Sequence, residues 1–473
     1  MIKRLTLVDL IEGLGGGHPA GLEMPVHPIL DSRQAQVGSV FFAFAGENVD
    51  GHAYVADAFE RGAVAAVVEQ DVAVAGSMLN LETGDYPALL TTPLVIRVPH
   101  VLQALQRAAV FWRAQIVTRV IGITGSVGKT TTKEVVSRVL ARRYRVLHSS
   151  GSYNNEIGLP LTLLQLTSEH ERIVLEMGMY VRGDIHALAE IALPQLGVLT
   201  NVEPVHAERA GSLENIALGK RELVEALPPA PAGIAILNYD DERVRAMAAA
   251  TEARIFFYGL SPEAHLWADE VQSLGLDGLR VRLHYAGETV YVRAPLLGRH
   301  SVHTILRATA VGLVEGLTWQ EIVEGLQAST GELRLVVVEG PQGSLIIDDT
   351  YNSSPPSALA ALNLLEDLEG RKIAVLGDML ELGAYEESGH LKVGCRAADV
   401  VAELLLVGQL AELLARGARL CGLPSQHVHV LPDNAAAVTK IKELLQPADI
   451  ILVKGSRAMQ MEDIVAALSR GEF

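Results

Sequence analysis

Short apolar runs alternate along most of the chain with longer stretches of helical period, the pattern left by strands of a parallel sheet and the helices that cover it. The order is clearest from residue 119. RVIGIT reads as a buried strand, GSVGKT as a glycine-containing loop, and TTKEVVSRVLARR as a helix with basic residues toward its C-terminal end. IVLEMG (173–178), QLGVLTNV (195–202) and AGIAILN (232–238) repeat the strand pattern, while SLENIALGKRELVEAL (212–227) has helical spacing with Ser212 placed as an N-cap. Around 279–293 the period becomes two: Leu279, Val281, Leu283 and Tyr285 alternate with Arg280, Arg282 and His284, which predicts a hairpin. From about 333 the α/β alternation restarts, with SLIIDD, KIAVLGD, ELLLVG, HVHVL and DIILVKG as strands and SALAALNLLEDL and NAAAVTKIKELL as helices.

The expected fold class is therefore α/β with three domains. A smaller N-terminal α/β domain covers 1–99 and ends in the proline-punctuated YPALLTTPLVIRVP. A central P-loop-type parallel-sheet domain covers 100–330, with PPAPAG (228–233) as an internal loop, and a C-terminal Rossmann-like domain covers 331–473. The length of 473 residues agrees, being too great for one ordinary core.

Composition narrows the function. A hydrophobic share of 49% with 20% charged residues is globular. A net charge of −17 argues against coating nucleic acid or an anionic membrane, and an anionic small substrate then requires positive charge gathered locally. No apolar stretch is long enough to span a bilayer, and Asp9 and Glu12 interrupt the N-terminal apolar run before a signal-peptide core forms. Cys395 and Cys421 lie 26 positions apart without a second pair, so neither a disulfide framework nor a thiolate metal site is expected, and a reducing cytoplasm is.

The strongest local chemistry is GITGSVGKTT. A strand, a glycine-rich turn, a lysine and a hydroxyl residue at a helix start make a phosphate cradle from Gly125, Ser126, Val127, Gly128, Lys129, Thr130 and Thr131. Lys129 can reach terminal phosphates and Thr130 can ligate magnesium, although Ile123 stands where the general motif has its first glycine. Glu176, at a strand end, is either a magnesium ligand or a helix N-terminal acid. His206 follows another strand end and is either ligating or structural, and Lys220, inside a helix, reads first as a solvated lysine.

Taken in order, GITGSVGKTTTKE, SYNNEIGLPLTLL, IVLEMG and TNVEPVHAERAGSLENIALGKREL resemble the successive motifs of the Mur ligases, ATP-dependent amide-forming enzymes of peptidoglycan precursor synthesis. IDDTYNSSPPSALAAL, AVLGDMLELG and ILVKGSRAMQME are similar to segments of the member that adds D-alanyl-D-alanine to UDP-N-acetylmuramoyl-tripeptide. The resemblance begins near DSRQAQVGSVFFAFAGENVDGHAYVADAFERGA and covers nearly the whole chain.

It implies ATP and two magnesium ions as cofactors. Lys129, His206 and Lys220 are implied as catalytic, and Thr130, Glu176, His206 and a carbamylated Lys220 as lying around the metals. Ser32, Arg33, Asn48, Asp50 and His52 are implied at the uridine-nucleotide end and Asn154 and Asn155 at the muramoyl peptide. Asn238, Asp241 and Arg334 would face ATP, and Asp349, Tyr351, Asn352, Lys454, Ser456 and Arg457 the incoming dipeptide. A cytoplasmic monomer without nucleic-acid or membrane partners is expected. The pattern is broken at Ser301 and Thr304, where asparagines are usual, and at Ser354 and Ala358.

The expected chemistry is phosphorylation of the tripeptide carboxylate by ATP, followed by attack of the dipeptide amine. Two alternatives stay open at this stage: another Mur-fold amide ligase, adding the preceding amino acid or a glutamate to folate, and a P-loop nucleotide-binding regulator that makes no amide.

Overall fold

The computed structural model describes residues 2–46, 49–83, 90–151, 153–205, 207–328 and 336–469. Three sheets follow one another along the chain. The first is five-stranded and all parallel, in the order His27–Ile29, Ser39–Phe42, Ala65–Val68, Leu94–Arg97, Ser77–Asn80.

The second sheet has nine strands. From one edge they are Glu288–Ala294, Leu279–Tyr285, Leu266–Ser273, Arg254–Gly259, Ile234–Asn238, Leu196–Leu199, Arg119–Thr124, Arg172–Glu176 and Val146–His148. Its inner strands are buried on both faces, which is why they read as unbroken Val/Ile/Leu runs. Strand order reverses at Arg119–Thr124, which pairs with Arg172–Glu176 on one side and Leu196–Leu199 on the other. A crevice opens at the carboxyl end of such a reversal. The hairpin anticipated at 279–293 is present, with Leu279 opposite Ala294 and Tyr285 opposite Glu288; Leu279, Val281 and Leu283 are buried.

The third sheet runs Val336–Glu339, Leu345–Asp348, Ile450–Lys454, Lys372–Gly377, Glu403–Val407, Val428–Leu431, parallel apart from its first strand. Helices cover both faces and leave a core on each.

The first two sheets share a core. Helix Val101–Ala114 packs on helix Leu7–Gly13, where Gly13 lies against the Ala108 backbone. On its other side Trp112 donates to Leu166 O at 2.9 Å and Arg113 Nε to Ala192 O at 3.3 Å. One apolar cluster consequently runs from Leu7 through Trp112 to Leu223.

The expectation that the cysteines stay unpaired is overturned: Cys395 and Cys421 are disulfide-bonded, with Cα atoms 5.1 Å apart. The cause is tertiary. A Cβ at Gly394 would stand 2.0 Å from Leu414 O, and one at Gly417 would stand 2.3 Å from Leu391 O. Helices Glu386–Val400 and Ala411–Leu420 thus touch backbone to backbone, and that approach brings the two sulfurs together.

Glu315, past the end of helix Val302–Val314, is buried and ion-paired with both Arg119 and Arg172 at the starts of two central strands. Removing its carboxylate leaves two half-buried guanidinium groups facing each other. Glu315→Ala is expected to lower the unfolding free energy by roughly 3 kcal/mol, measured by urea denaturation.

Candidate active site

The crevice at the strand-order reversal is occupied by the loop that follows Arg119–Thr124. Gly125 has φ +146°, and a Cβ there would lie 1.8 Å from Thr200 Oγ1; Gly128 has φ +83° at the start of helix Lys129–Leu140. Both positions demand glycine. The neighbouring strand end holds the loop in shape. Ser126 N–H donates to Asn201 O at 3.0 Å, Val127 N–H to Asn201 Oδ1 at 2.9 Å, and Glu203 N–H to Ser126 Oγ at 2.9 Å. Lys129 curls over the loop, its Nζ donating to Gly125 O at 2.9 Å and Ser126 O at 3.3 Å. Thr131 lines the cleft beside it. A turn of this kind, with N–H groups and a lysine at a helix start, is built to receive phosphate oxygens.

Beside the loop lies Glu176, 1% exposed. Thr130 Oγ1 donates to its Oε2 at 2.6 Å and Asn154 Nδ2 to its Oε1 at 2.7 Å, and no cation pairs with it among the described residues. A buried carboxylate without a counter-charge fits a divalent cation, and Glu176 with the Thr130 hydroxyl offers hard oxygen donors for magnesium. The two adjacent asparagines divide their work. Asn154 reaches Glu176, whereas Asn155 Oδ1 accepts from Gly158 N–H at 2.9 Å and shapes the start of the next helix.

Lys220 is not the solvated lysine of the simplest reading. It sits 4% exposed in helix Leu213–Glu225, which Ser212 caps by accepting from Asn215 N–H, and no ion pair holds it among the described residues. Burial, with the charge of Lys129 adding to it, pushes its amine well below the usual lysine range.

A cleft of about 1210 Å³ joins this loop to the strand ends of the third sheet. There Lys454 is fully buried, ion-paired with Asp349 at 2.8 Å and donating to Asn352 O at 2.8 Å, so it pins the loop that carries Tyr351 into the cleft. Ser456 Oγ accepts from Leu380 N–H at 2.9 Å, and the Arg457 guanidinium lies 5.6 Å over the Tyr351 ring. Asn238 and Asp241 also line the cleft, but their polar ends are engaged. Asn238 Nδ2 donates to Thr200 O, while Asp241 caps helix Glu242–Ala246 and accepts from Val202 N–H at 2.7 Å.

The described N-terminal candidates, Ser32, Arg33, Asp50 and His52, stand apart from this cleft. Ser32 is buried; Arg33, its side chain 82% exposed, grips Asp31 with two nitrogens at 2.9 and 2.7 Å. His52 is buried, its Nδ1 2.6 Å from Asp50 Oδ1 and its Nε2 accepting from Glu69 N–H. Asn48, His206 and Arg334 lie outside the described residues.

Sequence reasoning missed Asn201, Lys133 and His300. Lys133 is fully buried, pairs with Glu134 at 3.0 Å and donates to Ser149 O and Gly151 O, which anchors the segment bearing Asn154. Its only trace in the sequence is a charge on the apolar face of the loop's helix. Asn201 could have been suspected from its place just past a strand.

Comparison with known proteins follows the same lines. The Mur ligase middle domain matches residues 123–312, the Mur ligase glutamate ligase domain 333–457, and the Mur ligase family catalytic domain 29–113. UDP-N-acetylmuramoyl-tripeptide--D-alanyl-D-alanine ligase of Bacillus subtilis is 34% identical, over 99% of each chain. Among solved structures, MurF from Acinetobacter baumannii matches with a TM-score of 0.84 at 28% identity over 99% of each chain. MurF ligase from Thermotoga maritima, in complex with ADP, matches at 0.78 and 26%, over 94% of this chain and 97% of its own.

His300 is solvent-exposed where it opens onto the cleft, and the cleft walls close in around it. That enclosure, with His303, Lys454 and Arg307 as nearby cations, pushes its pKa from 6.5 down to about 4. Because the folded value is depressed, the neutral form's contribution to stability is complete above about pH 6.5 and is lost as pH falls toward 4. The His300 imidazole is expected to titrate near 4 by NMR, with the resonance assigned through His300→Gln.

Proposed function

The chain belongs to the Mur ligase family, and from that membership we propose that it joins D-alanyl-D-alanine to UDP-N-acetylmuramoyl-tripeptide, converting ATP to ADP and phosphate. The product is the pentapeptide precursor of peptidoglycan. One observation carries the reading: a single cleft is lined both by the phosphate loop of the second sheet and by the Asp349–Asn352 and Lys454–Arg457 strand ends of the third. Full-length likeness to dipeptide-adding ligases favours this member over other amide ligases of the fold and over a regulator that makes no amide.

A carboxylate at neutral pH is a poor electrophile. The tripeptide's terminal carboxylate attacks the γ-phosphorus of ATP, the bond from phosphorus to the ADP oxygen breaks, and an acyl phosphate forms. The dipeptide amine then adds to the acyl carbon, loses a proton, and expels inorganic phosphate. The first step brings anions together, so the side-chain cation at the loop matters most, and Lys129 is that cation. Magnesium, when bound, supplies further neutralisation of phosphate charge, and Thr130 and Glu176 would hold it. His206 belongs to the same proposed set. Lys220, whose buried setting shifts it toward the neutral amine, is the group that carbon dioxide would carbamylate, turning an amine into an anionic oxygen donor.

The three sheets divide the substrates. The first binds the uridine nucleotide with Ser32, Arg33, Asn48, Asp50 and His52, the second ATP with the loop, Asn238, Asp241 and Arg334, and the third the dipeptide. The muramoyl peptide reaches Asn154 and Asn155 between them. The enzyme works as a monomer in the cytoplasm. There the half-exposed Cys395–Cys421 bond meets reductants, and the helix pair rests on its glycine contacts instead.

Phosphate release should require both UDP-N-acetylmuramoyl-tripeptide and D-alanyl-D-alanine, and Lys129→Ala should lower turnover by at least about 10²–10³-fold. Release without that double dependence would refute the ligase reading, and oxygen-18 placed in the tripeptide carboxylate must emerge in the phosphate. With carbon-13 bicarbonate, a carbamate resonance is expected in the wild type and not in Lys220→Met.

A further inference from the structure

Helix Val302–Val314 carries a cation that none of these roles uses. Arg307 is 5% exposed, and its guanidinium lies against the phosphate loop: a Cβ on Gly128 would meet Arg307 Nη2 at 3.2 Å. Nη2 donates to Thr304 Oγ1 at 2.9 Å and Nη1 to Tyr258 Oη at 3.4 Å, while Nε has no acceptor. No carboxylate pairs with Arg307 among the described residues. Two buried lysines, Lys133 and Lys454, are treated differently, the first pairing with Glu134 and the second with Asp349.

A buried guanidinium without an anion is costly unless an anion arrives. Most of its fork of N–H donors is left over. Arg307 lines the same cleft as Gly128 and Lys129, so an anion seated on the loop reaches both side chains. Thr304, one turn earlier on the helix, orients the fork, and Tyr258 flanks it, fully buried with its hydroxyl donating to Leu199 O at 2.8 Å. The hydroxyl of Ser301 is turned back on its own chain, donating to Leu297 O at 2.7 Å. Neither Ser301 nor Thr304 offers the cleft an amide, and the polar group this helix presents to the loop is the guanidinium.

We propose that Arg307 is a nucleotide-binding residue, whose guanidinium contacts the phosphate chain of ATP and ADP beside Lys129. The inference rests on the ATP reading above and adds a side chain to it. Because arginine meets phosphate through a planar fork and cannot lose its charge, a lysine in its place should recover only part of the contact.

The test is calorimetric titration of ADP and of adenosine into the wild type, Arg307→Gln and Arg307→Lys, each with its fold checked by circular dichroism. Arg307→Gln is expected to weaken ADP by about 10–100-fold, as loss of a charge-assisted hydrogen bond implies, and to leave adenosine unchanged. Arg307→Lys should fall between Arg307→Gln and the wild type. An unaltered ratio of ADP to adenosine affinity, in whichever variants fold, would overturn the proposal, because a merely structural role moves both ligands together. If the wild type itself fails to bind ADP, the ATP reading falls and this inference with it. If the wild type binds ADP and Lys129→Ala does not, the ATP reading stands whatever Arg307 does.

Discussion

Glu176 is the residue on which the arrangement of the site depends. Its carboxylate is buried at the end of a central strand without a counter-cation among the described residues, and its residue is held by two other segments of chain. Thr130 comes from the start of the loop's helix and Asn154 from the segment after Val146–His148, while Ser149 Oγ accepts from the Glu176 N–H at 3.2 Å. A desolvated charge tolerates few geometries, so these partners confine one another. Lys133 secures the second segment from beneath by donating to its carbonyls. The site is rigid where phosphate chemistry needs it to be, because a poorly satisfied carboxylate at this depth would cost more than the order required to satisfy it.

Net charge and local charge are separated in this molecule. A chain at −17 handles anionic substrates by placing Lys129, Arg307 and Lys454 around one cleft, while surface acids lie where water and salt screen them. Crowding has consequences for protonation. Lys220 loses affinity for its proton through burial and the nearness of Lys129, and His300 does so through the cleft walls and the cations around it. Both shifts favour neutral forms in a region where Arg307 has no carboxylate partner among the described residues.

Much of the fold was legible because it is written in local pattern. The apolar runs at 119–124, 173–178 and 232–238 mark the buried strands Arg119–Thr124, Arg172–Glu176 and Ile234–Asn238, the alternation at 279–285 is a hairpin strand, and Ser212 caps its helix. The phosphate loop was legible for the same reason, since its glycines and lysine are consecutive. For other residues the local pattern left the setting open. Lys220 read as solvated because helical period does not say which face a single charge takes, and Asn155, Asn238 and Asp241 make turn and cap contacts that spacing alone cannot tell from ligand contacts.

By itself, then, the chain determined its class, its strand and helix segments, the phosphate loop and the family whose motifs it carries, all of them properties of residues close together in sequence. Tertiary structure decided the rest. It paired Cys395 with Cys421 across two helices that glycines allow to touch, surrounded Glu176 with partners from distant segments, and set Arg307 against Gly128. These are contacts between positions far apart along the backbone, and their energies depend on desolvation and close approach, which exist only once the sheets have packed.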